Sequence, residues 1–165
     1  MNNIVYFELN NWFAGRDYPD AEPFLTWMRD DLNQTFRDEK WVKENKLCVV
    51  FTPIDMSQNY CITATKEWVL KNCPDLLSDK EYNIKFIVRY GRGENEEEEH
   101  TEHHSFKQFL RFPDEHGDVY SRFGMEFLPY EEENFGVTTV YWDNDYEDWI
   151  EDNEYLECDE EDNEE

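Results

Sequence analysis

His100, His103 and His104 stand beside Glu98, Glu99 and Glu102 in the run EEEEHTEHH. Imidazoles at i, i+3 and i+4 meet one zinc or nickel ion if the segment is helical. The pattern is not the HExxH of zinc proteases, because Thr101 occupies the position of the glutamate. The expectation is a hydrated acidic loop in which carboxylates stabilise protonated imidazoles, with no metal assigned. The fourth histidine, His116 in PDEHGD, reads as a turn residue. A nucleophilic triad needs a serine or cysteine oriented by one of these histidines, and nothing in the local pattern suggests one. Gly91-Arg92-Gly93 follows a strand pattern but lacks the third glycine and the helix start that a phosphate cradle needs. Carboxylates are so numerous that spacing singles out no acid and base pair. The expectation is a protein that is not an enzyme and takes no cofactor.

The second chemical pattern is the closing stretch YWDNDYEDWIEDNEYLECDEEDNEE, from Tyr141 to Glu165, with fourteen carboxylates and no cation. Net charge is −26, and it is unevenly placed. Residues 1–93 carry fourteen acids and twelve bases, whereas residues 94–165 carry twenty-seven acids against Lys107, Arg111 and Arg122. Charge repulsion on this scale opposes compaction and is relieved by salt or by a cationic partner. It also disfavours direct binding to nucleic acid or to an anionic membrane.

Along the fourteen acids of residues 143–165, a helical rise of about 1.5 Å gives one charge per ~2.5 Å over ~35 Å. Duplex DNA carries one per ~1.7 Å. Grooves that hold nucleic acid combine cations for phosphates with aromatic platforms for bases. The tail interleaves Tyr146, Trp149 and Tyr155 with its acids. The expected contact surface comprises Glu96, Glu97, Glu98 and Glu99, then Glu131, Glu132 and Glu133, and then Asp143, Asp145, Glu147, Asp148, Trp149, Glu151, Asp152, Glu154 and Tyr155, with Trp149 and Tyr155 as anchors. The expected partner is a basic nucleic-acid-binding protein: a nuclease, a CRISPR effector or a restriction enzyme.

In charge distribution, size and lack of a catalytic motif, the chain resembles the phage-encoded DNA mimics that block restriction enzymes or CRISPR effectors. It is similar in the same respects to acidic immunity proteins that neutralise nuclease toxins. The resemblance is one of composition, and no functional position is carried over from either group. It implies an anti-CRISPR or antirestriction inhibitor acting in the cytoplasm of a bacterial host cell. The alternatives are an immunity protein, or a phage accessory protein whose tail only aids solubility.

These residues need a scaffold. A chain of 165 residues with 17% aromatics buries a core without staples. No stretch approaches a membrane span, and the start MNNIVYFELN has no signal-peptide pattern. Cys48, Cys61, Cys73 and Cys158 are too widely spaced for a zinc knuckle, and the expectation is reduced thiols, three of them in or near the core.

The patterns predict a single α+β domain over residues 1–142, with a mostly antiparallel sheet and two or more helices. An acidic extension over 143–165, flexible or marginally helical, follows it. NIVYFELNNWF reads as a strand, DAEPFLTWMRDDLNQTF as an amphipathic helix, and KLCVVFTPI and NYCITA as strands joined by a turn. Thr65 is expected to cap a helix KEWVLKN that ends near Pro74, and YNIKFIVRYG to form a strand with Tyr82 and Ile84 on one face. SFKQFLRF is a short helix or strand. DVYSRFGMEFLPY and FGVTTVYW are expected to close the fold as a hairpin across EEEN. Trp12, Trp27, Trp41, Trp68 and Trp142 read as core or half-buried residues.

Overall fold

Strand formers recur with a period of two in Ile4–Asn10, Cys48–Ile54 and Ser57–Thr65, and these become β1, β2 and β3. The computed structural model describes residues 3–10, 31–54, 57–89, 97–143 and 148–151. The turn expected near Gly15, the helix before Asp31, Trp12, Trp27, the Gly91–Gly93 turn and Cys158 lie outside them.

The main sheet has six strands in the order β6-β1-β3-β2-β7-β8, where β6 is Leu110–Arg111, β7 is Gly136–Asp143 and β8 is Asp148–Glu151. Every pairing is antiparallel except β2 with β7, which runs parallel from Cys48↔Gly136 to Phe51↔Thr139. A two-stranded ribbon of β4 (Tyr82–Arg89) and β5 (Glu97–His104) completes the strands. The described helices are α1 (Leu32–Thr35), α2 (Glu39–Glu44) and α3 (Lys66–Asn72). The chain is therefore an α+β protein with a mostly antiparallel sheet. Among the described residues no helix is long and apolar enough to cross a membrane.

Alternation divides the sheet's side chains between two faces. Phe7, Leu9, Val49, Phe51, Tyr60 and Ile62 point to the first face, and Phe36, Val42, Val69, Leu76, Tyr82 and Phe106 pack over them. The layer is joined by ring contacts: Phe36 against Trp41 at 5.6 Å, Phe51 against Tyr60 at 4.9 Å and Tyr82 against Phe106 at 4.6 Å between centroids. Trp41 and Trp68 are half-buried at its border, and the Trp68 indole donates to Asn45. The second face carries Glu8, Val50, Cys61, Thr63 and Val140, and the segment after β6 crosses it.

Local chemistry accounts for the element ends. Thr65 caps α3 as expected, its hydroxyl accepting from the Trp68 N–H at 3.1 Å, and Pro74 opens the 3-10 turn that follows. α2 has no counterpart among the expected elements, although the Asp38 carboxylate caps it by accepting from Trp41 N. Gly136 opens β7 at φ +133°, where a Cβ would stand 2.7 Å from Glu39 Oε1. SFKQFLRF supplies both of its alternatives, a 3-10 turn over Phe106–Phe109 and then β6.

Three expectations are corrected. ENEEEEHTEHH is not a loop: its described part is β5, paired with β4 from Tyr82↔His104 to Arg89↔Glu97. DVYSRFGMEFLPY forms no regular strand beside β7 and instead folds back on itself, with one bridge between Tyr120 and Glu126. The closing hairpin is β7–β8, in register from Val140↔Glu151 to Asp143↔Asp148. Asp143 thus ends a core strand, and the described part of the extension is a strand rather than a helix.

Candidate functional site

The fold-back at Val119–Phe127 is built from the sequence VYSRFGMEF. Ser121 Oγ accepts from the N–H groups of Phe123 at 3.1 Å and Met125 at 3.0 Å, and Gly124 takes φ +85°. The turn turns Val119, Met125 and Phe127 inward against Val50, Cys61 and Val140. The Phe127 ring meets Tyr6 edge-on at 5.9 Å.

A buried carboxylate fixes this loop to the sheet. Glu8, 2% exposed on β1, accepts at Oε2 from the Arg122 backbone N–H at 3.0 Å and from Arg111 Nε at 3.2 Å. Arg111 also donates to the carbonyls of Gln108 and Leu110. Farther along, the Thr63 hydroxyl donates to Leu128 O at 2.9 Å. Asp114 closes the turn PDEHGD, its Oδ1 accepting from the N–H groups of His116 and Asp118.

Between this loop and the β7–β8 hairpin the second face opens into a cleft of about 410 Å³. Its floor is Val50, Thr138 and Val140 from the sheet. Tyr120, Gly124, Met125, Glu126 and Leu128 form one wall, and Asp148 and Glu151 of β8 form the other. Glu126, Asp148 and Glu151 are all exposed at the rim. Negative charge is concentrated at the mouth, where Asp118 above all, with partial desolvation, Glu126 and Asp114, pushes the Tyr120 phenol above its ordinary value. A carboxylate-rimmed cleft with an apolar floor suits a cation carried on an apolar stem.

Of the residues expected to contact a partner, Asp148 and Glu151 meet in this cleft. Glu98 and Glu99 are exposed on β5, in a ribbon whose Tyr82 and Ile84 pack into the first-face core, away from the cleft. Glu131, Glu132 and Glu133 precede the start of β7, whereas β8 lies along its other end. Glu131 and Glu133 share a hydrogen bond, and that bond and the repulsion between them hold Glu131 above the ordinary carboxylate range. Glu97, Asp143 and Trp149 occupy strand positions, with Trp149 in register with Trp142. Glu96, Asp145, Glu147, Asp152, Glu154 and Tyr155 lie outside the described residues. The expected surface therefore does not gather on one face among the described residues.

Strand geometry also separates the histidines. His100 and His104 pair with Phe86 and Tyr82, and alternation places His103 on the opposite side of the ribbon. The i, i+3, i+4 convergence existed only for a helix. His104 Nε2 instead lies 2.7 Å from Glu102 Oε2, and His100 Nε2 lies 3.7 Å from Glu98 Oε2. Cys48, Cys61 and Cys73 are buried free thiols, as expected.

Asp118, Tyr120 and Glu126 were not anticipated as site residues. Their signal was present in DVYSRFGME, where Ser121 and Gly124 mark a turn inside an apparent strand. No family model, curated protein or solved structure matches the chain.

Proposed function

We propose that the protein is an acidic inhibitory binding protein that occupies the basic groove of a nucleic-acid-binding enzyme in place of nucleic acid. Its action would be in the bacterial cytoplasm, against a nuclease, a CRISPR effector or a restriction enzyme. It catalyses no reaction in this reading and needs no cofactor. The observation that carries the proposal is the cleft on the second face, where carboxylates from two separate segments converge over apolar side chains. Further acids follow Glu151 in the sequence and add to the negative charge of the chain.

Physical chemistry supplies the rest. A chain of net charge −26 is attracted over long range to a basic groove, which raises the encounter rate and makes it strongly dependent on salt. The same charge excludes phosphate, so the protein competes with nucleic acid without binding it.

The test is capture by the immobilised full chain from a nuclease-treated bacterial lysate, followed by separate elution with a salt gradient and with duplex DNA or RNA. A basic nucleic-acid enzyme released by both eluents, and inhibited by the free protein, is the expected result. A partner that resists nucleic-acid competitors points instead to an immunity-type contact outside the groove. Capture of nothing basic overturns the proposal.

A further inference from the structure

We infer that the second-face cleft receives an arginine side chain of the partner, with its methylene stem on the apolar floor and its guanidinium between Glu126 and Glu151. The inference rests on the reading of the protein as a binder of basic proteins and gives that reading a contact point. The volume of about 410 Å³ lies within the range of roughly 300–1,000 Å³ typical of sites that enclose a ligand. The apolar floor of Val50 and Val140, with Met125 and Leu128 in the wall, would be wasted on a hydrated inorganic cation but covers an aliphatic stem.

Three features favour guanidinium over ammonium. Glu126 and Glu151 line the cleft from separate segments, the fold-back and β8, and a planar fork with five donors is better suited than a point charge to engage two carboxylates at once. Tyr120, 46% exposed at the mouth, offers a ring face for stacking. Guanidinium is also the more weakly hydrated cation and loses less on entering a partly apolar cleft. The Tyr120 phenol is raised by the same negative field, through Asp118 first, then partial desolvation, Glu126 and Asp114.

The experiment is an NMR titration of the ¹⁵N-labelled full chain with acetyl-arginine-methylamide, its citrulline counterpart and acetyl-lysine-methylamide. Arginine should give saturable shifts at Gly124, Glu126, Thr138 and Val140. Citrulline, the same shape without charge, should give none, and lysine should bind more weakly than arginine. The variant E126Q/E151Q should weaken arginine binding by roughly tenfold or more. The control E44Q/E67Q/E81Q adds charge neutralisation on the exposed surface of α2, α3 and the approach to β4, and should leave binding unchanged; the spectra themselves report whether each variant folds.

Equal binding of citrulline, shifts spread over all acidic segments, or equal weakening by the control variant would overturn the assignment. The two proposals also fail separately. A captured partner that E126Q/E151Q still holds as tightly removes the cleft and leaves the broader reading standing. Localised arginine binding with no nucleic-acid enzyme captured does the reverse.

Discussion

Neighbouring residues on one strand of this protein live in opposite environments. Phe7 and Leu9 enter a dry aromatic layer, while Glu8 between them enters a face that also buries Asn59, Thr52, Thr63 and Ser121. On β3 the same division sets Tyr60 and Ile62 against Cys61. The first face is held by shape and area: rings in contact, and helices docked by an apolar stripe. The second is held by a smaller apolar cluster and a few directed bonds that pin a loop, leaving part of the sheet uncovered as a cleft. Stability resides mainly on the first face, and the open cleft lies on the second.

The largest effect that tests this contrast is alkaline. Burial pushes the Cys73 thiol up to about 12 from an ordinary value of 9.0, and burial with the nearby Glu8 carboxylate pushes Cys61 up as well. Above the unfolded thiol value the unfolded chain sheds these protons while the folded chain keeps them. Stability is therefore full below about pH 9 and falls as pH rises toward 12. Each fully displaced thiol contributes up to about 1.4 kcal/mol per pH unit across that window. Urea unfolding at a series of pH values, repeated with Cys61→Ala and Cys73→Ala, separates the faces. If Cys61→Ala leaves the alkaline slope unchanged, the second face is hydrated in solution and is not a second core.

Next in size are two adjacent truncations. Phe7→Ala should cost about 3–5 kcal/mol, because the ring is fully buried and the sheet cannot collapse into the space. Glu8→Ala should cost about 1–3 kcal/mol, since it strips partners from the Arg122 N–H and the Arg111 guanidinium, though Arg111 keeps two carbonyls and some solvent. The sharper difference lies in what each loosens. Phe7→Ala should lower global stability and leave the fold-back at Val119–Phe127 closed. Glu8→Ala should open that loop locally, seen as faster amide exchange at Arg122 and Met125 than at Ile62. Uniform acceleration in both variants would mean that the two faces unfold as one unit.

The first face was legible in the sequence because its causes are local. Alternation in β1, β2 and β3, and the Thr65 cap, lie within short windows. The second face depends on contacts that no window contains. The parallel pairing of β7 with β2 joins residues far apart in sequence. Beside the first face the same holds for EEEHTEHH, whose strand state follows from β4 alongside it rather than from residues that favour strands. Val119, Met125 and Phe127 alternate as a strand would, but the Ser121 hydroxyl and Gly124 fold the segment back. For the same reason the abundance of acids could be read directly, whereas the convergence of Glu126 with Asp148 and Glu151 could not.

The smallest predicted effect has the opposite sign. Asn59 is 1% exposed on the second face, and both its Oδ1 and Nδ2 lack a hydrogen-bond partner. A buried amide without partners forfeits its hydration and gains nothing in return. Leucine has nearly the same shape, so Asn59→Leu should raise stability by about 1–2 kcal/mol, read as a higher urea midpoint with an unchanged slope. The equivalent change on the first face has no such gain to offer, because its side chains are already apolar. A gain at Asn59 would show that the second face retains polar groups at a cost to folding, as a surface kept for binding does. A loss would show that the amide is satisfied in solution, and the second face would then be held by a denser network of directed bonds than Glu8, Thr63 and Ser121 alone provide.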